Sequence, residues 1–447
     1  MKVDVTLSRL VSFRCEIRAS FTARPDALFE VVEALPLVRR IRSSVEVSLS
    51  PAFRRGYASV YDALRRGRMH LGRLRGIFAA NEPADSVVVG GYAVYAVDTT
   101  IAPRPDAETL PDRGMQHSAE LGKSVPGYQY SWLVRVVGQG QSWVAPRDVQ
   151  RVTTQQTAGQ IGGEQVERLD ASVPPGQAQV VVGDGNYSVE KFLKAFKNLR
   201  STFPLVRLRS NHTLYGPPKP REPHKGGRPG KHGTKVSLKH PPPPDRQEDA
   251  ERVDDRGRRH KVRLSAWRNL HVKQVPDVVG LVLRIEVLKA DGTPRYERPL
   301  WLFWGGDQDM ALEHLLDMYL LRFSLEHFFR FAKQELGLLA AHSTDPVALD
   351  NWTWVVALVY WQLLLARGAT ERQAAPWDPR VRRDPGVPPT PGQVLAAWQG
   401  FSRGLITPAA PPKGCGKPPG RAPGFHPKPR QRHPVVKASR TKTKAAA

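Results

Sequence analysis

DMYLLRFSLEHFFRFAKQELG (residues 317–337) is mostly leucine and phenylalanine, yet it keeps Tyr319, Arg322, Glu326 and Lys333. A helix turns by about 100° per residue, so with Tyr319 at zero the other three fall at about 300°, 340° and 320°. All four then share an arc of about 60°. Leu320, Leu321, Leu325, Phe328 and Phe331 point broadly the other way. The spacing predicts one amphipathic helix with an apolar face and a narrow stripe of Tyr, Arg, Glu and Lys. Two readings of the stripe stand side by side. It is a solvated face with an i,i+4 pair between Arg322 and Glu326, or it is a carboxylate held among cations that grip phosphate.

The chain has 447 residues, enough for two or three domains. Its formal net charge is +25 and its pI about 10.3. That excess favours a polyanionic partner, nucleic acid before an anionic membrane. The most apolar run, WTWVVALVYWQLLLA (352–366), is too short to span a bilayer and contains Gln362, so it reads as a buried helix. The N-terminal residues lack the uninterrupted apolar stretch of a signal peptide. Cys15 and Cys415 are the only cysteines and lie at opposite ends, which gives no disulfide framework and fits a reducing cytoplasm.

Residues 1–88 read as a helical region. The stretch AFRRGYASVYDALRRGRMHLGRLRGIFAA (52–80) carries Arg54, Arg55, Arg65, Arg66, Arg68, Arg73 and Arg75 against a single Asp, which leans towards contact with a DNA backbone. Residues 89–215 change pattern. SVVVGGYAVYAVDTT (86–100) reads as a strand ending in Asp98, and YQYSWLVRVVGQGQSWVAP (128–146) as two strands joined through glycines. GGEQVERLDASV is helix-like. AQVVVGDGNYSVEKFLKAFKNLR (178–200) reads as a strand, then Asp184 at a glycine turn, then a helix with Asn186 and Ser188 as candidate caps. PLVRLRSN is a further strand. This alternation indicates an α/β fold, a mixed sheet flanked by helices.

From 216 to 299 the chain is a basic linker followed by a β insertion. Residues 216–244 hold nine Pro, seven Lys or Arg and one acid, a composition that cannot bury a core. Residues 300–345 bear the helix quoted above, 346–400 form a C-terminal helical region, and 401–447 a basic tail. No acid follows Asp384, and 413–447 carries ten Lys or Arg, which predicts disorder.

Asp98 and Asp184 leave apolar strands, and Glu326 sits on the polar stripe of an otherwise apolar helix. Ligands of open α/β sheets gather at the carboxyl ends of strands. Three converging carboxylates would repel unless cations sat between them, and Mg²⁺ suits hard oxygen ligands and phosphate. An Asp at a strand end is as often a turn former or helix cap, so spacing alone does not single out these acids.

The set Tyr319, Arg322, Glu326, Lys333 has the spacing Y-x2-R-x3-E-x6-K. It resembles the signature of a large group of bacterial insertion-sequence transposases with a DDE triad. YAVYAVDTT resembles their first-Asp strand, VVVGDGNYS their second, and a β insertion before the Glu-bearing helix is also a feature of the group. The likeness covers about 89–345. It implies an RNase H-like (retroviral-integrase-like) core, with Asp98, Asp184 and Glu326 as catalytic metal ligands for two Mg²⁺ ions, or Mn²⁺ in their place. It implies that Tyr319 and Arg322 contact phosphates and that Lys333 holds DNA near the cleavage site. The partner is then double-stranded DNA, bound by a homodimer in the bacterial cytoplasm at the nucleoid. The alternatives are a structure-specific nuclease of the same fold and a non-catalytic DNA-binding protein derived from a transposase.

Other candidates carry less. KGGRPGKHG (225–233) places Arg228 and Lys231 as in a minor-groove AT-hook, and a plain cationic linker fits it as well. Trp267, Trp301 and Trp304 offer faces for an unpaired base, with core packing favoured for at least two. His117 follows the first-Asp strand but reads better as a structural residue. His224 and His232 are too isolated for zinc.

Overall fold

The structure, a computed structural model, describes residues 2–118, 121–138, 142–174, 176–187, 190–218, 230–253, 257–370, 388–406, 420, 422–426 and 428–437. The chain opens with α1 (Lys2–Arg18), β1 (Phe21–Ala23), α2 (Pro25–Ala34), α3 (Ser59–Arg66), β2 (Arg68–Met69) and α4 (Leu71–Ala80). The sheet begins with β3 (Val88–Val89), β4 (Tyr92–Pro103), β5 (Gly114–Ser118), β6 (Lys123–Val137) and β7 (Trp143–Val152). Then come α5 (Ala158–Asp170), β8 (Ala178–Gly183), α6 (Glu190–Leu193) and β9 (Thr202–Leu208). The expected insertion supplies β10 (Thr213–Tyr215), β11 (Lys235–Ser237), β12 (Arg246–Val253), β13 (Arg259–Val272) and β14 (Val275–Leu288). The chain returns through β15 (Leu300–Trp304) to α7 (Leu312–Leu321), α8 (Phe323–Gln334), α9 (Pro346–Ala366) and α10 (Pro391–Ser402).

At the centre of the sheet the strands run β7-β6-β4-β8-β9. β6 is antiparallel to its neighbours β7 and β4, and β8 and β9 are parallel to β4. Val180, Val181 and Val182 of β8 are all 0% exposed because parallel strands lie on both sides and helices on both faces. The insertion does not fold apart. β15 pairs β9, and β14, β13, β10 and β11 extend the same sheet outwards.

Two apolar layers cover the sheet. On one face, Val94, Ala96, Trp132 and Val182 pack with α1–α4 and with α7, α8 and α9. On the other, Tyr95, Val97, Leu133 and Val181 pack with α5, α6 and the insertion. The apolar run at 352–366 lies within α9, buried almost all round at the centre of the first layer. Asp345 caps that helix on Val347 N–H, and Pro346 occupies its first position. Two of its indoles find acceptors: Trp352 donates to Gly337 O at 2.9 Å and Trp361 to Pro146 O at 2.7 Å. Among the described residues no helix is long and apolar enough to cross a membrane.

Several expectations change here. The seven arginines from Arg54 to Arg75 all have partners within the fold. Arg54 and Arg55 lie on Glu30, Arg65 on Asp345, Arg66 on Asp62 and Arg75 on Asp148. Arg68 and Arg73 donate to the carbonyls of Gly67 and Ala19. Counting acids nearby in sequence missed those supplied by the fold. Part of the tail, expected to be disordered, is docked: His433 and Val436 N–H donate to Glu108 O and Arg113 O, each at 2.8 Å, and Arg432 pairs with Glu108 at 3.1 Å. Residues 407–419, 421, 427 and 438–447 of the tail, Arg228 of the linker and Ser188 lie outside the described residues.

Candidate active site

Asp98 does not end its strand, since β4 runs on to Pro103 beside β6. What ends is β8. Its last residue, Gly183, pairs with Val97 in parallel register, so Asp98 and Asp184 leave neighbouring strands at one level, about 4.8 Å apart in the pairing direction. Alternation along both strands turns the two carboxylates towards the face that bears α7 and α8.

Gly183 is required at this turn. A Cβ there would lie 2.9 Å from Tyr187 Cβ and 3.4 Å from a Val206 methyl, and Tyr187 is fully buried. Gly183→Ala is expected to cost about 1–3 kcal/mol, the usual cost of overpacking. It would also shift Asp184. Thermal melting checks the first effect and DNA cleavage the second. Asp184 is locally held: its Oδ1 accepts from Asn186 N–H at 2.9 Å and its Oδ2 from Asn186 Nδ2 at 3.1 Å.

The predicted single helix is two. Arg322 ends α7 and starts α8, with Arg322 N–H donating to Tyr319 O at 3.2 Å and Leu325 N–H to Arg322 O at 3.0 Å. These i→i−3 bonds tighten the chain by one step and re-aim the stripe. Tyr319 is 3% and Arg322 7% exposed, so neither lies on an open face. Glu326 and Phe323 are exposed, and Leu320, expected to be covered, is exposed as well.

Arg322 joins the elements. Its Nη1 donates to Asp98 Oδ2 at 3.0 Å and its Nη2 to Glu326 Oε1 at 2.8 Å. Its guanidinium stands over the Phe323 ring at 4.9 Å and the Tyr319 ring at 5.8 Å. The Arg322 Nε is buried with no partner among the described residues. Thr99 N–H donates to Asp98 Oδ1 at 2.7 Å. Despite these bonds the Asp98 carboxyl is pushed up to about 7, first by burial and next by the charge of Asp184, with Glu326 adding a little. Arg322 and the Thr99 N–H pull the other way without winning. Burial raises the Tyr319 phenol, opposed by the neighbouring charges of Arg322 and Arg207.

Three acids from three elements therefore act on one another here. Among the described residues no three His, Cys, Asp or Glu side chains are arranged to ligate a metal as they stand. Glu326 is turned to Arg322, which offsets part of the charge of the cluster. The donor chemistry fits a hard divalent cation: carboxylate oxygens only, adjacent and mutually repelling.

The other named residues are placed as follows. Lys333 lies half-buried on α8, about two turns beyond Glu326. Lys231 is exposed before β11, at the far end of the sheet, and is not brought to the carboxylates. His117 is exposed on β5 opposite Ser124, whereas Asp98 pairs with Trp132, so it does not approach the acids. Trp267, Trp301 and Trp304 are 4%, 2% and 0% exposed and belong to the core. His232 stacks on His271 with their ring nitrogens 3.0 Å apart. Thr99 and Phe323 carried no signal in the sequence. Asn186, expected as a helix cap, instead holds Asp184, a pairing that an Asp at a turn makes legible.

The family model of the DDE superfamily endonucleases matches residues 16–273, more than half of the chain, and the chain belongs to that family. Membership makes it an enzyme of the nuclease and transposase type that acts on DNA. The matched span contains Asp98 and Asp184 and stops before the helices of Arg322 and Glu326. No curated protein matches the chain.

Proposed function

We propose that the chain is a DDE transposase of the bacterial insertion-sequence type, cleaving double-stranded DNA at element ends and joining the freed 3′ end to a target. The observation that carries this reading is the Arg322 fork, which bonds at once to Asp98, 224 residues away, and to Glu326. The Asp184 charge bears on the same Asp98 carboxyl. The order β7-β6-β4-β8-β9, three antiparallel strands and then two parallel to β4, supports an RNase H-like core.

Asp98, Asp184 and Glu326 are the residues that would hold Mg²⁺, or Mn²⁺ in its place. When bound, a pair of such ions supplies an activated oxygen nucleophile and stabilises the leaving oxygen. Asp98 and Asp184 offer their oxygens from adjoining strands, so the sheet fixes their separation. Arg322, released from the carboxylates, presents a fork that matches a phosphate. Tyr319 and Phe323 hold its guanidinium plane in place. Lys333 adds a cation along α8, where the DNA strand would pass. Two protomers on two DNA ends complete the assembly, in the cytoplasm of a bacterium.

The test incubates the full chain and Mg²⁺ with duplexes carrying the inverted repeats that flank the gene. Cut ends and joined products support the proposal. Cutting without joining makes the protein a structure-specific nuclease, and binding without cutting a non-catalytic derivative.

Deleting 413–447 is expected to weaken binding to any duplex and to flatten its salt dependence, because fewer counterions are released. Affinity measured across a salt series checks this, and an unchanged slope would show that the tail does not touch DNA.

A further inference from the structure

Beyond β7, at the edge of the sheet, a cleft of about 310 Å³ opens between α4 and α5. Arg75 and Gly76 of α4, Arg147 and Asp148 of β7, and Gln165 and Arg168 of α5 line it. The cleft exists because α4 turns small residues towards it: a Cβ on Gly76 would meet nothing within 4 Å. It is not the carboxylate site. Asp148 pairs with Leu133 and Leu133 with Val97, both on the face opposite to the one bearing α7 and α8.

Arg147 is built into this place. Leu133 pairs with Asp148 and Val134 with Pro146, so Arg147 is the extra residue of a bulge, a device that re-aims a side chain. Its side chain is 9% exposed and lies 3.3 Å from Glu82. One terminal nitrogen donates to Ser172 Oγ at 3.2 Å, and the other, Nη1, has no partner among the described residues. Arg75 and Arg168 share the single Asp148, at 2.7 and 2.8 Å. Arg135 shares Glu82 with Arg147, and Glu164 reaches Arg168 only at 3.9 Å. Four guanidiniums thus face three carboxylates. Pinning α4 and α5 to the sheet accounts for the Asp148 bridges. It does not account for the excess of one positive charge, the orphaned nitrogen or the open space, since a partly buried excess charge is costly unless an anion completes it.

We infer that this cleft binds a phosphate ester of nucleotide size, the guanidiniums taking the phosphate and Leu133 and the glycine face of α4 taking the sugar or base. Arginine suits phosphate through paired N–H donors, and the volume lies at the lower end of small-ligand sites. The phosphate comes from a free nucleotide or from one nucleotide unit of a DNA strand. The inference is independent of the proposed cleavage reaction.

Equilibrium dialysis of the full chain with dAMP, and with deoxyadenosine as the phosphate-free control, tests the site. dAMP is expected to bind saturably and deoxyadenosine not. Arg168→Gln and Gly76→Leu are each expected to weaken dAMP at least ten-fold. Gly76→Leu fills the cleft while leaving every charge in place, and it keeps the test sharp if loss of Arg168 loosens the fold. In parallel, the salt slope of duplex binding is measured for wild type and Arg168→Gln. dAMP binding with an unchanged slope supports a free nucleotide. A slope reduced by about 0.9, the value of one phosphate contact, supports a DNA strand even if dAMP does not bind alone. No dAMP binding together with an unchanged slope overturns the inference and leaves the arginines as a structural network.

Discussion

Asp98→Asn, Asp184→Asn and Glu326→Gln are each expected to lower metal-dependent cleavage by about 10²–10³-fold or more, the scale of losing one preorganised charge at a reacting centre. DNA binding should stay intact or tighten, because each change removes a negative charge facing phosphate. Asp98→Asn carries a second expectation, on stability. In the unfolded chain the Asp98 carboxyl loses its proton near 3.8, whereas in the fold it keeps the proton up to about 7. Between these values the folded state holds more protons, so its stability falls as pH rises through that window. The loss is on the order of a few kcal/mol. The amide that replaces the carboxyl never ionises and escapes it. The metal-free variant should therefore melt higher than wild type at pH 8 and equal to it near pH 4. Mg²⁺ should raise the wild-type melting temperature at pH 8, by binding the folded state alone, and should do far less for Asp98→Asn. Thermal melts at the two pH values with and without Mg²⁺ decide this, and a variant melting below wild type at pH 8 would refute the account of Asp98.

The apolar run Tyr92–Val97 and the three valines before Asp184 were enough to mark both strands, because burial on two faces leaves a simple apolar signature. The helix at 317–337 was legible as helix, and its four polar residues as a set. Its break was not, because residue spacing assumes a constant turn and the i→i−3 step at Arg322 leaves no mark in composition. Which side of the stripe is covered also depended on partners far along the chain: α7 and α8 pack on the sheet, with Phe328 of α8 against Tyr360 of α9, so Tyr319 went inside while Leu320 came out. The insertion was seen as β structure, yet its continuity with the core sheet rests on β15 returning to β9 across the whole linker. The arginine cleft had no sequence signature, since its residues come from α4, β7 and α5 and its key side chain from a bulge.

Arg322→Ala is the other change expected to have a large effect. The solvated-face reading would make Arg322 half of an exposed i,i+4 pair, worth about 0.3–0.5 kcal/mol. Its side chain is instead 9% exposed and holds Asp98 as well as Glu326. Losing one partner of a buried ion pair costs about 3–5 kcal/mol when the other charge is stranded. Here part of that cost is avoided, because Asp98 can take a proton instead. Without Arg322, which pulls the Asp98 carboxyl down, that carboxyl rises further. The loss of melting temperature should accordingly be larger at pH 8 than at pH 5. A divalent cation takes over the neutralising role, so Mg²⁺ should rescue the melting temperature of Arg322→Ala by more than it lifts wild type, with a lower midpoint. Cleavage should still fall by about 10²-fold or more, because the fork that would meet a phosphate is gone. Arg322→Lys separates charge from shape. A single ammonium cannot reproduce two parallel donors, so it should recover part of the stability and little of the cleavage. Melting and cleavage measured on the same Arg322→Lys sample are decisive: cutting at the wild-type rate would reduce Arg322 to a structural cation and remove the main support for placing DNA against α7 and α8.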